Sequence, residues 1–213
     1  MEINNQQGNI LKIVKIMFIA AAALEAAYLI FNRAGAAAGS SSFGFSDLLQ
    51  FVGLALMIAV AAVFEGRESD KRGRALAGIL FGLAAVLFLE VVDSMYTIIK
   101  VVLYYGTGVG ISSGIFGNID GLLEAFLVLT VVVAFMDKSK TLYQLSMITG
   151  FVTLACEAVF CISSVYSMIT SATADTWNTL STICYGPAWI IFEGAWIIFA
   201  ADKLKKQKMI LNN

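Results

Sequence analysis

Apolar runs close to the length of a bilayer crossing recur from one end of this chain to the other, and they leave it few ways to fold. Such runs cover approximately residues 10–32, 47–64, 75–104, 115–136, 142–170 and 177–201. A helix of about 20 predominantly apolar residues crosses the hydrocarbon core of a membrane. There every backbone N–H and C=O must find its partner within the protein, so only helices and closed barrels can span. The runs are longer than the roughly 9–11 residues of a barrel strand, and the chain has 1 Pro in 213 residues. Both facts select helices. Composition agrees, with 59% hydrophobic and 14% charged residues against about 45–50% and about 25% in soluble domains. The sequence therefore predicts an all-α integral membrane protein, a six-transmembrane-helix bundle folded as one transmembrane domain over residues 1–213.

Charges at the borders orient the bundle. Lys12 and Lys15 open the first run, Arg67, Lys71, Arg72 and Arg74 separate the second from the third, and Lys138 and Lys140 separate the fourth from the fifth. Lys203, Lys205, Lys206 and Lys208 follow the sixth, while the alternate connections hold only Arg33. Positive residues mark the cytoplasmic side, so the expectation is a multi-pass cell-membrane protein with both termini cytoplasmic. RAGAAAGSSS after the first run has the small residues of a signal-peptidase site. The run before it is long for a signal peptide and contains Glu25, which favours a retained anchor.

Two outer connections are rich in Gly and Ser, and each ends in Phe-Gly-x-x-Asp, at 43–47 and 116–120. Asp is a natural N-cap, which predicts that Asp47 and Asp120 each open a helix. Glu25, Glu90 and Glu157 in the odd runs fit a repeat of three helical hairpins. LEAAYL at 24–29 and LEAFLV at 123–128 fit an inverted repeat instead. Inversion would reflect depth, yet Glu25 and Glu124 both lie roughly 18 Å from their cytoplasmic borders at 1.5 Å per residue, so hairpins fit better. The alanines at 20–23, with Ala26 and Ala27, and the pair Gly78 and Gly82 give smooth helix faces suited to close packing, or to docking a second copy or a partner membrane subunit. In size, topology and its Ala-rich first helix the chain resembles the substrate-binding component of energy-coupling vitamin transporters. That resemblance implies a binding subunit that docks on partner helices.

The acids within the runs carry the functional argument. An acid at the centre of a spanning helix costs about 2.5–3.5 kcal/mol, so Glu25, Glu90, Asp93, Glu124, Glu157 and Glu193 must face the bundle interior or water. Glu25, Glu90, Glu124 and Glu157 fall in one layer, about 15–25 Å from the cytoplasmic border. Polar stripes at helical spacing accompany them: Glu90, Asp93, Thr97 and Lys100; Asp120 and Glu124; Thr149, Thr153, Glu157 and Ser164; Tyr185, Trp189 and Glu193. Carboxylates gathered at low dielectric cannot all carry charge unless something positive joins them. The expected site is a proton or cation site built from Glu25, Glu90, Asp93, Glu124, Glu157 and Glu193. Asp120, Tyr185 and Trp189 are its accessories, and Lys100 its outer counter-charge.

Other chemistries fit less well. The chain has no His, which removes bis-imidazole haem and typical zinc catalysis. GISSG at 110–114 matches a nucleophile elbow in letters but lacks its histidine. DGLLEA from Asp120 resembles the start of the alcohol phosphotransferase motif of phospholipid synthesis, but the Arg that continues it is missing. Hard cations take carboxylate oxygens, so a Mg²⁺ enzyme using Glu90, Asp93, Asp120 and Glu124 is a third reading. Cys156, Cys161 and Cys184 have neither zinc nor redox spacing and read as packing residues. A net charge of −1 speaks against nucleic acid. The expected partners are the lipid bilayer and a proton or small cationic solute, with no cofactor beyond a bound cation and no catalytic activity. The function expected is transport or permeation, its alternative a membrane subunit that pairs with partner helices.

Overall fold

The computed structural model describes residues 2–38, 43–64, 70–105, 111–137, 139–170 and 176–211. They form α1 (Glu2–Ala38), α2 (Phe45–Val63), α3 (Asp70–Tyr105), α4 (Ile111–Asp137), α5 (Lys140–Thr170) and α6 (Thr176–Leu211). Five of these, all but α4, are long and apolar enough to cross a membrane. α1 starts well before its apolar run, and α6 continues well past its own. Past the apolar run of α6, Lys, Leu, Gln and Met have good helix propensity and let its backbone hydrogen bonding continue. Arg67, Lys138 and the centres of the Gly/Ser-rich connections, 39–42 and 106–110, lie outside the described residues.

Each helix packs against its neighbours in sequence, and α6 closes on α1. The result is a ring in chain order. Neighbours run antiparallel: Arg33 pairs with Asp47 and Phe18 packs on Phe64 between α1 and α2, while Tyr28 meets Tyr185 and Phe18 meets Trp196 between α1 and α6. The first turn of α1 and the last turn of α6, the terminal helix ends, therefore lie at the same end of the ring.

The ring is coated in the opposite sense to a soluble protein. Ile16, Ile30, Phe81, Phe88, Ile148 and Ile162 stand exposed on its outside, where soluble monomers rarely leave contiguous apolar surface. Towards the end that holds the termini, Phe18, Phe64, Phe192, Trp196 and Phe199 fill the interior, with ring centroids 4.7–6.3 Å apart. Such tilted and edge-on contacts match the quadrupoles of the rings and exclude water.

Close approach fixes the α5–α6 seam. A Cβ on Gly186 would lie 2.8 Å from Cys161 Sγ and 3.3 Å from Glu157 Oε1, so only glycine lets α6 sit against the acid-bearing face of α5. The Gly78 and Gly82 pair divides: Gly82 packs on Leu56 of α2, while nothing lies within 4 Å of a Cβ on Gly78. The three cysteines are free and partly buried.

Neither Phe-Gly-x-x-Asp aspartate is an N-cap. Gly44 caps α2, and Asp47, three residues in, accepts the Gly44 N–H at 2.6 Å and pairs with Arg33. Asp120 lies inside α4, whose first residue is Ile111.

Candidate functional site

The acids meet because their helices turn one face inward. On α4, Asp120 and Glu124 are one turn apart and share a face. On α6, Tyr185, Trp189 and Glu193 repeat every four residues and stack along the interior. The relative exposure of Glu25, Glu124, Glu157 and Glu193 is 5%, 3%, 0% and 1%. Asp120 is also buried, and Glu90 is partly buried at the wall of the interior space.

That space has two adjoining lobes. A small one of about 110 Å³ lies among α1, α2, α3 and α6 and touches Glu25, Tyr28, Gln50, Glu90, Tyr185 and Trp189. A larger one of about 450 Å³ reaches toward the end away from the termini, past Asn32, Ser46 and Asn118, and has Glu90, Asp120 and Glu124 in its wall. Tyr28, Gln50, Glu90 and Tyr185 border both. Among the described residues, no Lys or Arg lines either lobe.

The tightest grouping is Asp120, Glu124 and Glu157. Each offers a carboxylate oxygen within 4.8 Å of those of the other two. Asp120 and Glu124 stand in the cavity wall, and Glu157 of α5 stands beside them. As ionised carboxylates, Glu157 through both oxygens, Asp120 through Oδ1 and Glu124 through Oε1 have no donor among the described residues, while a proton shared between Asp120 and Glu157 lets the two hydrogen-bond one another. The hydroxyls that share the Glu157 face do not help. Thr149 donates to the carbonyl of Leu145, and Thr153 donates to that of Thr149 at 2.8 Å. A carboxylate can only accept, so a bound proton or a cation is the partner this chemistry calls for.

The structure sorts the residues read from the sequence. Glu25, Glu90, Asp120, Glu124, Tyr185 and Trp189 border the two lobes, and Glu157 joins Asp120 and Glu124. Glu193 is buried one turn beyond Trp189, next to the aromatic layer, with both carboxylate oxygens lacking a partner among the described residues. Asp93 and Lys100 are not brought in. The α3 residues that reach the larger lobe are Leu87, Glu90, Val91 and Ser94. The stripe through Asp93, Thr97 and Lys100 drifts off that face, because steps of three residues fall about 60° short of a full turn. Lys100 is exposed, with Nζ 4.4 Å from the centre of the Tyr96 ring, and borders neither lobe. Of the grouping Glu90, Asp93, Asp120 and Glu124, the last two come together, with Glu157 as their third acid.

Gln50 is the wall residue that the sequence reading missed. Its amide donates to the Tyr28 hydroxyl at 3.4 Å, and its own carbonyl oxygen has no donor among the described residues. A lone amide in the apolar run of α2 was the available signal, hidden by attention to charge alone. Comparison with known protein families, curated proteins and solved structures finds no match to this chain.

Proposed function

We propose that the chain is a six-span membrane protein that carries a proton, a metal cation or a small cationic solute through the interior of its helix ring. The observation that carries this reading is the inversion of polarity. Acids from α1, α3, α4, α5 and α6 face inward, while the outside of the ring is apolar. Such buried ionisable groups mark ion and proton pathways in membrane proteins. The exposed Lys12, Arg72, Arg74, Lys140 and Lys205 all belong to the end that holds the termini, which supports a cytoplasmic position for that end.

Reconstitution in sealed vesicles tests the reading. Wild-type protein is expected to pass protons or a cation, and Glu90→Gln to abolish that flux while eluting and melting as a folded protein. Wild-type flux in the variant counts against it. A non-transporting membrane subunit is the second reading, favoured by Ala75 and Gly78, small and exposed on α3. A stable co-purifying partner together with absence of flux from the isolated protein would select it.

A further inference from the structure

We infer that Asp120, Glu124 and Glu157 form a binding site for a hard divalent cation, with Asp120 and Glu124 in the wall of the larger lobe and Glu157 beside them. The inference rests on the proposed function for the ion's route, and deepens it by naming the ion class.

Geometry comes first. An ion that binds oxygen at about 2.3–2.6 Å separates opposite ligands by up to roughly 4.6–5.2 Å. The three carboxylate oxygens, mutually within 4.8 Å, fall within that span, so a small closing of the group lets all three touch one such ion. The second observation is independent of that spacing. Glu157 is wholly buried, as a carboxylate it has no donor to either oxygen among the described residues, and two hydroxyls along its own face, Thr149 and Thr153, are already spent on their own helix. A purely structural acid in a membrane bundle would be expected to hydrogen-bond a neutral donor on a neighbouring helix, whereas the partner that α4 offers Glu157 is a second acid, Asp120.

Ligand type and space narrow the ion. All three donors are carboxylates, which suit Ca²⁺, Mn²⁺ and Mg²⁺, whereas soft thiolates or imidazoles would select copper or zinc. Hard cations take six or more oxygens and keep water when the protein supplies fewer. The lobe of about 450 Å³ beside Asp120 and Glu124 is far larger than a bare ion needs, and leaves room for that water. Wall groups without formal charge, Asn32, Asn118 and Ser94, can exchange hydrogen bonds with a hydrated ion as it descends.

Purified protein titrated with Mn²⁺, with free ion read from its aqueous paramagnetic resonance signal, tests the site without any flux measurement. One tightly held Mn²⁺ per chain is expected, displaced by Ca²⁺. Glu124→Gln and Glu157→Gln should each weaken it roughly tenfold or more, since removing a residue that merely orients a metal ligand already does so. Asp202→Asn, at an acid paired with Lys206 on the final turns of α6, should leave it unchanged. Absence of Mn²⁺ binding by wild-type protein overturns the inference even if the variants fail to fold, and so does an equal loss in Asp202→Asn. Proton or alkylammonium flux without Mn²⁺ binding would sink this site and leave transport standing. Mn²⁺ binding without flux of any cation would do the reverse.

Discussion

At 43–47 and again at 116–120 the chain writes Phe-Gly-x-x-Asp, and the two copies fold to different ends. In the first, α2 begins within the pattern, at Phe45, so Asp47 falls in the opening turn. In the second, α4 has already begun at Ile111, and Asp120 lies in its third turn. Only the first four N–H groups of a helix are free. Asp47 finds one of these, on Gly44, and an arginine besides. Asp120 lies beyond the free N–H groups of α4 and meets Glu124 and Glu157, acids like itself that can donate only by holding a proton. The same residue in the same local wording is a fastener in one place and an unmet demand in the other. What separates them is where the helix starts.

The largest effect should come from removing the second aspartate's charge. Asp120→Asn is expected to lower cation flux by an order of magnitude or more in vesicles, with melting temperature held or raised because a buried charge is gone. Asp47→Asn should leave flux near wild type. Equal flux loss in the two would break the comparison.

The glycine after the second pattern comes next. A Cβ on Gly121 would lie 2.9 Å from Val91 Cγ2, so Gly121→Ala should cost about 1–3 kcal/mol, read as a shift in a denaturant titration in detergent. Asp47→Ala should cost about 1–2 kcal/mol by the same measurement, from a lost helix-start bond and a partly exposed ion pair. A cost near zero would mean that Arg33 and Asp47 are merely neighbours. The smallest change is expected at Gly44, where φ is −119° and a Cβ would lie 3.6 Å from Asp47. Gly44→Ala should stay within about 0.5 kcal/mol of wild type. A larger loss would show that the first pattern, too, depends on close packing.

The helices and the acids were legible because hydropathy and charge are local properties. Runs of apolar residues set the number of the helices, though not the length of α1 or α6, and most of the carboxylates inside them face inward. Helix rotation was not legible. Whether Glu90 brings Asp93 or Ser94 to the wall depends on some tens of degrees about the axis of α3, fixed by contacts such as Gly82 with Leu56 and Val91 with Gly121. Those contacts join residues far apart in the chain. The pairing of Glu157 with Asp120 and Glu124 was hidden for the same reason, since it exists only once α4 and α5 lie side by side. Thr149 and Thr153 read as polar partners for Glu157, but a hydroxyl in a helix can serve its own preceding turn, and both do.

The aromatic layer of Phe18, Phe64, Phe192, Trp196 and Phe199 has an electrical consequence. In a bilayer, a water-filled vestibule conducts and an oily plug does not, so the membrane voltage would fall mainly across those rings. A charge resting among the carboxylates would then sit close to the potential of the opposite, far-side solution. Most of the voltage work, about 2.3 kcal/mol per elementary charge at 100 mV, would fall on the short passage between Trp189 and Phe199, making that passage the capacitor of the protein.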